Sequence, residues 1–140
     1  MRKFLIASHG QLANGLKHTL KLFIGNVEQY STLCAYDDDV KISSQIEEFD
    51  NDLSTDDELV ILTDILGGSV NQELTNKYSV RENTHLIAGC NLPLLLELTV
   101  LPEDEAISEQ QIRDIVERCQ RSIVYVNDVL RDRCGSEDDE

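Results

Sequence analysis

The chain has 140 residues, of which 41% are hydrophobic, and a formal net charge of −15. This length is typical of one domain with a core of its own. Such an acidic protein is a poor partner for nucleic acid and for anionic membranes, whereas a basic protein would be attracted to it. No apolar run approaches the roughly 18 residues that a membrane-spanning helix needs.

The N-terminus and the cysteines indicate a cytoplasmic protein. Only four consecutive apolar residues, Phe4–Ala7, follow the basic pair near the start, which is too short for the hydrophobic segment of a secretory signal. The four cysteines form no C-x-x-C pair, so neither a zinc ribbon nor a redox motif is predicted. We expect the cysteines to be reduced.

Strand-like and helix-like patterns alternate along the chain. Amphipathic spacing predicts a helix after each strand, and Ser108 with Gln111 has the spacing of a capping box before a further helix. The stretch Ser122–Asn127 fits either the continuation of that helix or an edge strand. Four apolar or β-branched runs predict the strands, namely Lys3–Ser8, Val27–Tyr36, Leu59–Thr63 and Thr84–Ala88.

This alternation predicts an α/β fold with an open, mainly parallel sheet and helices on both faces. In such sheets the functional crevice lies beyond the carboxyl ends of the strands. His9 follows the first predicted strand and Asp64 follows the third. We therefore expect both side chains at the same edge of the sheet.

The residues at this edge fit a nucleophilic imidazole beside an anion site. Asp64 can accept a hydrogen bond from one ring nitrogen of His9, which fixes the tautomer and leaves the other nitrogen a free lone pair. The alternative is a structural histidine beside an aspartate that only caps a helix. Gly67, Gly68 and Ser69 predict a turn into a helix, where backbone N–H groups and the serine hydroxyl can bind a phosphate.

Other chemistries have little support. The chain has no P-loop lysine motif and no G-x-G-x-x-G after the first strand, so nucleotide binding is not predicted. Ser8 lacks the G-x-S-x-G setting of a hydrolase nucleophile. His18 is expected on the surface and His85 in a structural role, and the histidines lack the spacing of metal ligands. No cofactor or metal is expected.

Three motifs at the strand ends together resemble a known family. They are ASHG after the first strand, LTDILGGS after the third and IAGCNLPLLLEL after the fourth. In this order and spacing they resemble the enzyme IIA component of the mannose family of sugar phosphotransferase systems, over residues 3–130. Members of that family often have an aromatic residue where this chain has Leu66.

The resemblance implies roles for the residues at the edge of the sheet. His9 would accept a phosphoryl group on Nε2 from the histidine phosphocarrier protein HPr and pass it to a histidine of the IIB component. Asp64 would orient the imidazole through Nδ1. Gly67, Gly68 and Ser69 would line the phosphoryl site.

The resemblance also implies an assembly. The family fold has the strand order 2-1-3-4 plus an antiparallel fifth strand that two subunits exchange, which would assign Ser122–Asn127 to that strand. The chain would be a cytoplasmic IIA domain over residues 1–130 with an acidic tail over residues 131–140. It would form a strand-swapped homodimer and reach the membrane only through the IIC and IID transporter.

Two other functions remain open at this point. The phosphocarrier subunit of dihydroxyacetone kinase is similar in fold and in its N-terminal histidine, although DILGGS favours the sugar-transport family. A regulatory or binding module of the same fold that is never phosphorylated is the second alternative. The sequence does not identify the sugar.

Overall fold

The computed structural model describes the backbone of residues 1–138 and the side chains of residues 1–134. Its strands are β1 Arg2–His9, β2 Tyr30–Ala35, β3 Glu58–Thr63 and β4 Thr84–Ala88. The helices in the described part are α1 Leu12–Ile24, α2 Ile42–Asn51, α3 Ser69–Tyr78, α4 Leu92–Thr99, α5 Glu109–Gln120 and α6 Val126–Asp138. Across these residues no helix combines the length and the apolar character required to cross a membrane.

The four strands form one parallel sheet in the order β2-β1-β3-β4. Ile6 in β1 lies opposite Thr32 in β2 and Leu62 in β3, which fixes the register of the three strands. The predicted α/β class, the parallel sheet and the 2-1-3-4 order of these strands are confirmed.

Strands β1 and β3 are buried on both faces, as their central apolar runs predict. All six residues of β3 are buried. On one face, Leu5 and Ala7 of β1 share a core with Ile46 of α2 and with Val70 and Leu74 of α3. Because side chains alternate along a strand, the residues between them point to the other face. Helix α1 packs on β1, β2 and α4.

Several helix starts follow from local hydrogen bonds. The buried Ser8 hydroxyl accepts from the N–H of Ala13 at 2.8 Å, which ties the end of β1 to the start of α1. The Asn91 side chain accepts from an N–H in the first turn of α4. Ser108 and Gln111 form both bonds of the predicted capping box at α5.

The chain divides into two compact units, Met1–Ala106 and Ile107–Glu140. The first holds the sheet and helices α1 to α4, and the second holds α5 and α6. Helix α6 continues through residue 138, into the segment that the sequence predicts to be an acidic tail. The last two residues of that predicted tail, 139 and 140, lie outside the described residues.

The expected fifth strand over residues 122–127 is not seen in the described part of the chain. Residues 121–125 have no strand pairing, and Val126 and Asn127 belong to α6. The N–H of Asp128 instead donates to the Tyr125 carbonyl at 3.0 Å. A segment without a neighbouring strand must satisfy its backbone groups locally, and a helix does so.

Candidate functional site

The carboxyl ends of β1, β2 and β3 meet at one edge of the sheet and bring the candidate residues together. His9 ends β1, Asp64 follows β3, and Ser69 begins α3. Ring atoms of His9 lie within hydrogen-bond distance of both Asp64 and Ser69. The sequence-predicted residues thus occupy a single site.

Asp64 holds His9 at two points. One carboxylate oxygen, Oδ2, accepts from the backbone N–H of His9 and from the ring Nδ1, both at 2.8 Å. The other oxygen, Oδ1, accepts from the N–H of Ile65 at 2.9 Å. The Asp64 side chain is almost buried, so the ring of His9 is attached to a rigid part of the fold.

These hydrogen bonds keep Asp64 ionised. Burial by itself would raise the pKa of the Asp64 carboxyl. The bonds from His9 and from the N–H of Ile65 stabilise the carboxylate and outweigh burial, so the pKa lies below the ordinary value. At neutral pH Asp64 is therefore an anion that accepts the proton of Nδ1.

The remaining ring nitrogen of His9 faces the start of α3. With Nδ1 donating to Asp64, the neutral imidazole has its lone pair on Nε2. The Ser69 hydroxyl lies 3.3 Å from Nε2 and is therefore the donor of that contact. The His9 side chain is 39% exposed, so the imidazole is accessible to solvent.

The glycine pair shapes the turn beside the imidazole. Gly67 has φ +77°, a conformation that residues with a side chain rarely adopt. A Cβ atom on Gly68 would lie 3.4 Å from Cε1 of His9, in van der Waals contact with the ring, so the turn lies directly against the imidazole. The first N–H groups of α3 point out of the helix end, which favours an anion there.

Tyr36 is a site residue that the sequence reasoning missed. It follows β2 directly, its ring stacks on the ring of His9 at a centroid distance of 5.5 Å, and its hydroxyl lies 2.8 Å from the Ser69 hydroxyl. One signal was available: in the order 2-1-3-4, a residue after β2 lies beside a residue after β1.

Asn71 was also missed and braces the glycine turn from within α3. Its side-chain oxygen accepts from the N–H of Gly67 at 3.2 Å, and its amide nitrogen donates to the Thr63 hydroxyl at 3.0 Å. The turn is thereby tied to the last residue of β3.

Cys90 follows β4 near the same edge. Burial raises the pKa of its thiol to about 12, and the charge of Asp64 adds to this effect. The thiol is therefore protonated at neutral pH and does not compete with His9 as a nucleophile.

A cleft of about 600 Å³ lies at the opposite end of the strands, lined by Lys3, Ser31 and Phe49 among others. It contains none of the candidate site residues. In the part of the chain that the structure describes, no group of His, Cys, Asp and Glu side chains is arranged to hold a metal ion. The chemistry available at the edge of the sheet is therefore that of an imidazole, a carboxylate and hydrogen-bond donors.

Comparison with known proteins identifies the family. Residues 3–116 match the family model EIIA-man, described as the PTS system fructose IIA component. The chain belongs to this IIA family. The predicted membership in the mannose-type IIA components is thereby confirmed, and it gives the chain a role in a sugar phosphotransferase system. A comparison with curated proteins gave no match.

Solved structures of similar proteins agree with this family. A phosphoenolpyruvate-dependent sugar phosphotransferase system permease from Klebsiella pneumoniae is 35% identical, with a TM-score of 0.83 and coverage of 92% of this chain and 93% of that one. The PTS IIA protein associated with the fucose utilization operon of Streptococcus pneumoniae is 28% identical, with a TM-score of 0.74 and coverage of 92% and 96%.

A more distant structure supports the fold only. The mannose/sorbose specific IIA subunit from Enterococcus faecalis is 16% identical, with a TM-score of 0.75. The match covers 89% of this chain and 93% of that one.

Proposed function

We propose that this IIA component carries a phosphoryl group on His9, which it receives from HPr and passes to a IIB component. The observation that carries the proposal is the His9–Asp64 pair. The Asp64 carboxylate accepts three hydrogen bonds, of which the one from Nδ1 fixes the orientation and the tautomer of the His9 ring. The lone pair of Nε2 then faces an exposed edge of the sheet. Family membership supports the choice of these partners.

The bonds and electrons of the proposed transfer balance without a cofactor. The Nε2 lone pair of His9 attacks the phosphorus of phosphohistidine on HPr. A P–N bond forms at Nε2 while the P–N bond to HPr breaks, and the leaving imidazole takes back its electron pair. Asp64 stabilises the positive charge that the His9 ring gains. Transfer to IIB is the same step with the roles exchanged.

The turn before α3 supports the proposal because phosphoryl transfer depends mainly on positioning and on stabilising charge on the phosphoryl oxygens. Ser69 supplies a hydroxyl donor next to Nε2. The N-terminus of α3 adds N–H groups and the positive end of the helix dipole.

Exposed apolar side chains next to the site support docking of protein partners. Ile65 and Leu66 lie between Asp64 and the glycine turn, and Leu12 begins the helix that follows His9. All three are more than half exposed, and Leu66 is 80% exposed. Apolar side chains in such positions are typical of protein–protein contacts.

Two further predictions concern the cell. The contact with the IIC and IID transporter and the cytoplasmic location of the chain stay predictions.

Incubation with phosphoenolpyruvate, enzyme I and HPr tests the proposal. We expect intact mass spectrometry to show one added phosphoryl group, about 80 Da, which disappears when IIB is added. An unchanged mass would contradict the proposal and favour a regulatory module that is not phosphorylated. Loss of the group to dihydroxyacetone kinase but not to IIB would favour the alternative phosphocarrier.

We also infer a homodimer in which the segment Ser122–Asn127 pairs with a second copy of the chain. Ile123 is 82% exposed, and Val124, Tyr125 and Val126 are each more than half exposed. Four consecutive exposed apolar side chains of this kind indicate a surface that a partner subunit covers. Strand exchange across the dimer would complete the sheet of each subunit and would unwind the first turn of α6.

Deleting residues from Ser122 onward tests the dimer. We expect sedimentation equilibrium to give twice 15.8 kDa for the full chain. The truncated chain should be unstable or should aggregate, because each sheet would be left with an open edge. A full-length monomer at micromolar concentration, or a well-folded truncated monomer, would contradict strand exchange.

A further inference from the structure

Tyr36 is held in a backbone conformation that normally favours glycine. Its φ is +62°, in the left-handed region where a bulky side chain is strained. Burial does not offset this strain, since Tyr36 is 63% exposed. Its side chain instead contacts the ring of His9 and the hydroxyl of Ser69. Strain of this kind at a candidate site points to a function for the side chain.

We propose that Tyr36 is a positioning residue for phosphoryl transfer, which acts by directing the Ser69 hydroxyl toward Nε2 of His9. The inference rests on the proposed transfer at His9. It adds a residue that acts through Ser69, to which its hydroxyl is hydrogen-bonded.

The single hydrogen of the Ser69 hydroxyl explains how Tyr36 acts on His9. A serine hydroxyl has one hydrogen to donate and can accept from other donors. The Tyr36 hydroxyl lies 2.8 Å from Ser69 Oγ, and a phenol is the stronger donor of the two, so Tyr36 donates. The hydrogen of Ser69 is then directed away from Tyr36 and toward Nε2, 3.3 Å away.

The same arrangement suits both states of His9. Before transfer, the Ser69 hydrogen lies on the Nε2 lone pair. During transfer that lone pair attacks phosphorus, and the hydrogen can turn to a phosphoryl oxygen beside Nε2. Tyr36 donates to Ser69 Oγ in both states, so Ser69 is kept as a donor to the reacting group. Without that bond, the Ser69 hydroxyl is free to rotate toward solvent.

Replacing Tyr36 with phenylalanine tests the proposal, because the stacked ring stays and only the hydroxyl is lost. We expect the transfer rate at saturating phospho-HPr to fall about threefold to tenfold, the range for one hydrogen bond between neutral groups. The KM for phospho-HPr should stay unchanged. Tyr30→Phe is the matched control: it removes the phenol bond between Tyr30 and Thr99 away from the site, and its rate should equal that of wild type.

A double-mutant cycle separates action through Ser69 from a direct effect. Ser69→Ala should lose rate, and Tyr36→Phe should cause no further loss in the Ser69→Ala background. An equal loss in both backgrounds would overturn the proposal. A rise in KM with an unchanged rate would also overturn it, because Tyr36 would then be only a docking contact.

An NMR measurement on the unphosphorylated protein keeps this inference separate from the proposed function. The spectra are recorded at a pH at which a histidine is neutral and a tyrosine is still protonated. The ¹⁵N resonance of Nε2 in His9 should then move in Tyr36→Phe in the same direction as in Ser69→Ala, toward that of a nitrogen without a hydrogen bond. If the resonance does not move in Tyr36→Phe, the inference is wrong, whether or not the wild-type chain accepts a phosphoryl group. If wild type is not phosphorylated and the resonance moves, the proposed transfer fails, whereas the hydrogen bonding from Tyr36 through Ser69 to Nε2 is confirmed.

Discussion

We expect the His9→Ala variant to take up no phosphoryl group from phosphoenolpyruvate, enzyme I and HPr, and to pass none to IIB. Alanine removes the Nε2 lone pair, which is the nucleophile of the proposed transfer. The Ser69 and Tyr36 hydroxyls lack a neighbouring base once the imidazole is gone, and burial keeps the Cys90 thiol protonated. Intact mass spectrometry of the variant should show the unmodified mass only.

His18→Ala is the matched control for this loss. His18 lies exposed on α1, outside the candidate site, and the substitution makes the same chemical change. We expect it to be phosphorylated like wild type. Stable addition of a phosphoryl group to His9→Ala would contradict the assignment of His9.

We expect the Asp64→Asn variant to transfer the phosphoryl group about tenfold to a thousandfold more slowly and to remain folded, by analogy with other carboxylates that orient a reacting histidine. Its rate is measured by rapid-quench transfer from phospho-HPr, and its folding by circular dichroism. The loss has two causes, one in the charge and one in the geometry of the side chain.

An amide cannot replace this carboxylate without a conflict. Oδ2 of Asp64 accepts from both donors of His9, and Oδ1 accepts from the N–H of Ile65. The NH₂ group of asparagine must face one of these donors. If the NH₂ group faces His9, it donates to Nδ1 and selects the tautomer with its proton on Nε2. If it faces Ile65, the N–H of Ile65 is left without an acceptor, which costs about 1–3 kcal/mol of stability. In either orientation it stabilises the charged imidazole less than the carboxylate does.

Asp38→Asn is the control for the loss of one negative charge. Asp38 is exposed, follows β2, and accepts from the N–H of Val40, a bond that asparagine can also accept. Its rate at saturating phospho-HPr should match that of wild type. A wild-type rate in Asp64→Asn would contradict the orienting role of Asp64.

The parallel sheet could be predicted because its signals are local. The run Leu59–Leu62 is apolar at every position, which is typical of a strand buried on both faces. Short connections through helices then require parallel strands. The predicted bounds of β4 match the structure, and those of the other strands differ by up to three residues. The second strand begins at Tyr30 and not at Val27, because the chain before it forms a turn in which the Tyr30 N–H donates to the Val27 carbonyl.

The main contacts of the candidate site could be predicted for the same reason. Once His9 and Asp64 are placed at the carboxyl ends of adjacent parallel strands, the backbone pairing of the sheet brings the two residues close together. The strand order places Tyr36 beside His9, but its contact with Ser69 could not be predicted in this way. Its contact with Ser69 depends on a left-handed backbone angle, for which tyrosine gives no sequence signal.

The segment Ser122–Asn127 could not be assigned because its conformation depends on what lies beside it. Ile123, Val124 and Val126 favour a strand, but a strand requires a neighbour to pair with. In the single chain, Val126 begins a helix. The resemblance to the family supplied the strand assignment, and only the oligomeric state tests it.

NMR of the phosphorylated chain tests the central claim most directly. With ¹⁵N-labelled histidine, a phosphoryl group on the ring gives a one-bond coupling between ³¹P and the nitrogen that carries it. We expect this coupling at Nε2 of His9, with Nδ1 still protonated and bonded to Asp64. Coupling at Nδ1, or at a nitrogen of His18 or His85, would contradict the claim that Asp64 presents Nε2 of His9 for phosphoryl transfer.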